Sequence, residues 1–138
     1  MIKRTILATL AVYVAWSVLD FIMHGVILSS SYEATANLWR PMEEMKMGLM
    51  YVVVLISTLT FVSIYAYFFK ERTLATGLKY GLLFGVGVGS GMGYGTYSVM
   101  PIPYEMAMVW FLGTVVETTV GGILVGLIIP SQSLAVGE

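Results

Sequence analysis

No cysteine occurs anywhere in these 138 residues, which removes disulfides, thiolate metal sites, cysteine nucleophiles and iron–sulfur clusters together. Charge is almost as scarce. Charged side chains make up only 11% of the chain, against about 25% in an ordinary soluble domain. The seven Lys and Arg residues form no clustered basic patch and the net charge is -1, so a nucleic-acid surface is excluded. A single histidine is present, and one imidazole offers only one axial position to a haem iron.

What fills the space is apolar. Hydrophobic residues account for 58% of the sequence, more than a soluble fold of this size can bury. Four stretches are long enough to cross a hydrocarbon layer of about 30 Å, which takes roughly 20 helical residues. They run Thr5–Ser29, Met47–Phe69, Leu78–Val99 and Ala107–Ile129. The expected fold is an all-α integral membrane protein, one domain over residues 1–138 built as a four-transmembrane-helix bundle. Met1-Ile2-Lys3-Arg4 before an apolar run resembles a secretory signal, but no small-x-small cleavage site follows and Asp20 interrupts its exit, so the segment reads as a retained first helix.

Positive residues of short loops stay on the cytoplasmic side. Placing both termini inside puts Lys3, Arg4, Lys70, Arg72 and Lys79 there, and leaves Arg40 and Lys46 outside with the loop 30–46. The expectation is therefore N-in, C-in, in a bacterial inner membrane. Tyr32, Trp39, Tyr104 and Trp110 then mark the outer interface. Pro41 ahead of Glu43 and Glu44, and Pro103 ahead of Glu105, suit helix starts in which proline takes the first turn and carboxylates meet the positive end of the dipole. Both external segments carry Tyr-Glu followed by Trp, a weak hint of a duplicated helix pair.

The third span is rich in glycine. Gly77, Gly81, Gly85, Gly89 and Gly93 recur every fourth residue, and Gly87, Gly91 and Gly95 make a second row. Such a glycine zipper lets helix backbones approach closely in lipid, where association rests on packing. It predicts a third helix at the centre of the bundle or at a contact with another chain. The Gly-x-Gly pattern is no dinucleotide loop, because no strand–turn–helix unit surrounds it.

Asp20, His24 and Glu117 lie well inside apolar spans. An ionisable side chain there is held by a partner, by protonation or by function. Asp20 and His24 are four apart and share a helix face. Glu117 is flanked by Thr114, Thr118 and Thr119, and Tyr94 and Tyr97 are expected at a similar depth. These five residues form the candidate ligand- or proton-binding set. Two carboxylates and an imidazole also admit a divalent metal at Asp20, His24 and Glu117, while the plainer reading has them hydrogen-bonding to Thr, Ser or Tyr hydroxyls and fixing helix register. No cofactor is named by the sequence. Met42, Met45, Met47 and Met50 read as flexible packing filler, and Arg40, Glu43 and Glu44 as a salt-bridge cluster.

Two function classes lead, ahead of a membrane-embedded metalloenzyme. One is a small membrane protein, not recognisable as an enzyme, that binds or transports a small ligand, proton or cation through an outward-facing polar site, and is oligomeric through its Gly-rich helix. The other is an accessory subunit packing by that helix against a larger membrane complex.

Overall fold

A computed structural model describes residues 1–131, and among them every regular element is helical. Helix α1 (Ile2–Asp20) continues into a π-helical turn over Phe21–Ile27, and a short α2 (Ser29–Ala34) follows. Single 3-10 turns at Ala36–Leu38 and Met42–Glu44 lead to α3 (Met47–Phe68). Helix α4 (Leu74–Ser90) passes into a second π-helical turn, Gly91–Gly95, and α5 (Tyr104–Ile128) ends the described bundle. Three helices, Ile2–Ile27, Met47–Phe68 and Tyr104–Ile128, are long and apolar enough to cross a membrane. They mark a membrane protein. The α4 segment is not among these three, its eight glycines between Gly77 and Gly95 adding no apolar side chain.

Local signals explain most boundaries. Pro103 is the N-cap residue of α5 and Glu105 lies in its first turn, as the sequence suggests. Thr73 caps α4 by accepting the Thr76 N–H at 3.1 Å. Pro41 opens only a 3-10 turn, and α3 begins at Met47, so that proline does not start the second span.

Helix α5 packs along both α1 and the glycine-rich α4, while α3 lies chiefly on α1 and reaches α4 through Phe61 and Tyr80. Helix α4 lies along one flank of α5, and its first glycine row makes the contact. A β-carbon on Gly77 would strike the Gly122 carbonyl, one on Gly81 the Thr118 carbonyl, and one on Gly93 the Ala107 carbonyl. These backbones meet with nothing between them, which is how helices associate tightly where lipid removes the hydrophobic drive. The second row differs. Gly87 and Gly91 face open space, and a β-carbon on Gly95 would meet only the Ser90 carbonyl at 3.7 Å.

The core has two parts. Near the termini, Val12 and Trp16 of α1, Phe61 and Tyr65 of α3, Tyr80 of α4 and Val125 of α5 pack together. The Tyr65 hydroxyl donates to the Thr73 carbonyl at 2.8 Å and that of Tyr80 to the Phe61 carbonyl at 2.9 Å, so neither buried oxygen lacks a partner. At the opposite end, Met23, Leu28, Ile102, Met106, Ala107 and Trp110 form a second cluster, with Tyr32 and Trp39 against it. Helix α3 contributes nothing there. Its buried residues lie between Thr58 and Ala66, while Leu49, Met50, Tyr51, Val52 and Val53 are exposed. Met42, Met45, Met47 and Met50 are exposed as well, so they do not fill this chain's interior. No salt bridge joins Arg40 to Glu43 or Glu44: among the described residues the one close acid–base pair is Asp20 with His24, 3.9 Å apart.

Candidate functional site

Helix α1 needs a partner at its midpoint, and Trp16 supplies the contact. Its indole N–H donates to the Glu117 carbonyl at 2.7 Å. The indole reaches that backbone because residue 121 is glycine: a β-carbon there would sit 3.0 Å from Trp16 Nε1 and 3.1 Å from Phe61 Cε1. One turn further along, Asp20 ends the α-helical part of α1, and His24 stands within the π-helical turn. The Leu28 N–H bonds back to the Met23 carbonyl at 3.0 Å, five residues earlier. A π-turn widens the helix by one residue, and such turns concentrate at functional positions.

His24 Nδ1 lies 2.6 Å from the Tyr32 hydroxyl, and the Trp110 indole N–H donates to that same oxygen at 3.0 Å. An indole can only donate. The Tyr32 oxygen accepts from Trp110 and keeps both its own proton and a second lone pair for Nδ1. The other ring nitrogen, Nε2, stands 3.9 Å from Asp20 Oδ1. Trp39 closes the cluster, its ring edge-on to Tyr32 at 5.4 Å and to Trp110 at 6.1 Å, with its N–H given to Thr35 Oγ1 at 2.9 Å. The Ser31 hydroxyl donates to Glu105 Oε1 at 2.8 Å, which ties α2 to the start of α5. Burial raises the Tyr32 hydroxyl above the usual tyrosine range; the Trp110 hydrogen bond opposes this and the nearby Asp20 charge adds to it.

Glu117 stands near Asp20. Two ionised carboxylates have no donor between them, and Glu117 Oε1 is buried without a partner. A proton on either acid supplies the missing bond. The neighbouring threonines do not. Thr114 and Thr118 give their hydroxyls to the carbonyls of Trp110 and Thr114, each at 2.8 Å, and Thr119 Oγ1 is itself buried and unpartnered.

The structure thus brings together Asp20, His24 and Glu117, in a row with Asp20 at the middle. Among the described residues, no three His, Asp or Glu side chains converge as a metal-ligand set. Tyr94 and Tyr97 stand elsewhere. Tyr94 faces the Tyr104 hydroxyl at 3.4 Å and the Phe111 ring at 5.6 Å, and Tyr97 lies edge-on to Tyr104 at 5.9 Å. The residues that complete the row, Tyr32 and Trp110, are legible in the sequence only as interfacial aromatics. Compared with known proteins, the chain matches no family model, no curated protein and no solved structure.

Proposed function

We propose that this chain is a four-span membrane protein, with both termini on the cytoplasmic side of a bacterial inner membrane, that handles protons through an outward-facing polar row. The single observation carrying the reading is that the polar groups follow one another. From Trp110 and Tyr32 at the loop end, the row passes through His24 and Asp20 to Glu117 at the middle of α5. Each neighbour differs in proton affinity and can hand a proton on: phenol to imidazole, imidazole to carboxylate, carboxylate to carboxyl. Like charges so close in a low-dielectric setting do not both ionise, so Asp20 and Glu117 hold one proton between them. The four-span count takes α4 and its extension, Leu74–Gly95, as the third crossing beside the three apolar helices. The Lys/Arg distribution supports the orientation.

Reconstitution into vesicles carrying an internal pH dye tests this. Under an imposed gradient the wild-type protein should equilibrate pH faster than empty vesicles, and His24→Ala should remove most of the excess. Flux equal to that of empty vesicles would refute the reading.

The second reading, an accessory subunit in a larger membrane complex, draws on Gly87 and Gly91, which face open space on α4 while the other row is used internally. Native purification with mass spectrometry separates the two: a chain that runs alone or only with itself excludes the accessory role.

A further inference from the structure

At the end of the bundle that holds the start of α1, the turn from α3 to α4 and the exit from α5 lies a cavity of about 480 Å³. Arg4 of α1, Lys70 and Arg72 of the α3–α4 connection and Ser131 after α5 line it. Three of the chain's seven Lys and Arg side chains therefore converge on one space. No Asp or Glu among the described residues lines it; Glu71, between Lys70 and Arg72 in sequence, is exposed and outside it.

The walls are tied to one another. The Ser131 N–H donates to the Arg72 carbonyl at 2.8 Å, the Arg72 N–H to Ser131 Oγ at 2.7 Å, and the Ser131 hydroxyl to the Lys70 carbonyl at 3.2 Å. These bonds join segments about 60 residues apart in the chain, so the cavity is built by the fold.

Arg72 is anchored through one side of its guanidinium. Nη1 donates to the Phe69 carbonyl at 2.9 Å and to the Ala66 carbonyl at 3.4 Å, at the end of α3. Nε is buried and has no partner. A guanidinium offers Nε and Nη2 as a planar fork that matches two oxygens of an oxyanion, and the two carbonyls leave that edge unused. A buried donor without an acceptor is uncommon in a folded chain. The one close acid–base pair among the described residues is Asp20 with His24, so Arg4, Lys70 and Arg72 have no carboxylate against them. Arginine is charged at any physiological pH, and the positive character of the cavity does not wait on a titration.

We infer that this cavity binds a phosphate group, with two of its oxygens at the free edge of Arg72 and its charge balanced by Arg4 and Lys70. Three cations exceed what a single carboxylate balances, and a phosphate brings both the charge and the further oxygens. Two sources carry such a group: the headgroup of an anionic lipid, which stands at the membrane surface where this end of the bundle lies in the orientation proposed above, and a soluble phosphate. The inference goes beyond the proton row and does not draw on it, since Arg4 lies about 24 Å from Asp20 along α1 at 1.5 Å per residue.

Phosphatidylglycerol added to the full chain in a neutral detergent, and counted by native mass spectrometry, tests the first source. Phosphatidylcholine, whose ammonium cancels its phosphate charge, is the control. Radiolabelled inorganic phosphate, measured on the same preparation by equilibrium dialysis, tests the second. One phosphatidylglycerol retained per chain in preference to phosphatidylcholine assigns the site to a lipid headgroup, and saturable binding of one inorganic phosphate assigns it to a soluble anion. Competition between the two shows one site open to both. Binding of neither overturns the inference.

Arg4 and Lys70 make no side-chain hydrogen bond among the described residues, so Arg4→Gln with Lys70→Gln removes charge without removing a contact of the fold. This pair should weaken binding at least about tenfold. Lys3→Gln with Lys79→Gln takes the same charge from outside the cavity and should stay within about twofold of wild type. Arg72→Lys, which keeps the charge and gives up the fork, should weaken binding as well. Equal losses in the two double variants would mean attraction by net charge alone and would overturn the inference, as would undiminished binding in the cavity pair.

Discussion

The Tyr32 hydroxyl stands 2.6 Å from His24 Nδ1, and through it the segment beyond the first span is tied to a residue within that span. The same oxygen accepts the Trp110 indole N–H at 3.0 Å. One phenol therefore joins the π-turn, α2 and α5.

Removing that oxygen leaves two partly buried groups unpaired. Tyr32→Phe should destabilise the protein by about 1–3 kcal/mol. Unfolding in mixed micelles would show it as an earlier midpoint, and the accompanying change in Trp110 fluorescence would locate it.

The Tyr32 hydroxyl also carries a pH prediction. Its affinity for the proton is raised in the folded state, by burial first and by the Asp20 charge as well. The stabilisation it contributes is thus complete below the ordinary tyrosine value of about 10 and is lost as pH rises through the higher folded value. Phenolate absorbance of wild type minus Tyr32→Phe should show one tyrosine titrating above pH 10. A difference curve centred at or below that value would contradict the packing described around Tyr32.

The two glycine rows predict opposite responses. Gly81→Leu drives a side chain into the Thr118 carbonyl and should cost about 1–3 kcal/mol as an overpacking substitution. Gly87→Ala meets nothing within 4 Å and should lie within about 1 kcal/mol of wild type, on the stabilising side, from helix propensity. Comparing their unfolding midpoints checks the α4–α5 packing directly. If Gly87→Ala proves as damaging as Gly81→Leu, the second row is buried against something outside this chain.

Much of this architecture is readable from the residues. The apolar runs place three spans to within a few residues at most of their ends, because hydropathy and the thickness of hydrocarbon leave little freedom. The fourth-residue spacing of Gly77 to Gly93 foretells a tight helix contact, and Gly122 and Gly126 in the fourth apolar run point to the helix that answers. How α1 seats on α5 is not written in any such spacing, so the contact of Trp16 over Gly121 emerges only in three dimensions. Pro41 misleads because a proline-led turn followed by acids suits a 3-10 turn as well as a helix start.

In the site, Asp20 and His24 are joined by helical spacing and are visible as a pair. Glu117 could be suspected but not placed, since its contact with Asp20 depends on how α1 packs on α5 through Trp16 and Gly121. Tyr32 and Trp110 are hidden by their chemistry. Tyrosine and tryptophan gather at membrane interfaces for reasons unrelated to any site, and 78 residues separate the two that meet here. Tyr94 and Tyr97, expected with this set, face Tyr104 instead.

Trp16→Phe keeps an aromatic ring against Phe61 but deletes the N–H given to the Glu117 carbonyl. A loss of about 1 kcal/mol is expected, together with reduced proton flux, because the same contact sets how Asp20 faces Glu117. Unchanged flux at reduced stability would make Trp16 a packing residue alone.

The central claim is that Asp20 and Glu117 hold one proton between them at the inner end of the row. Infrared spectroscopy of the reconstituted protein near neutral pH tests it most directly, through the carbonyl stretch of a protonated carboxyl and its shift in heavy water. The account predicts one such band, removed by Glu117→Gln and removed or strongly displaced by Asp20→Asn, because each substitution breaks the pair. A wild-type spectrum without a protonated carboxyl, or a band that survives both substitutions unchanged, would contradict it.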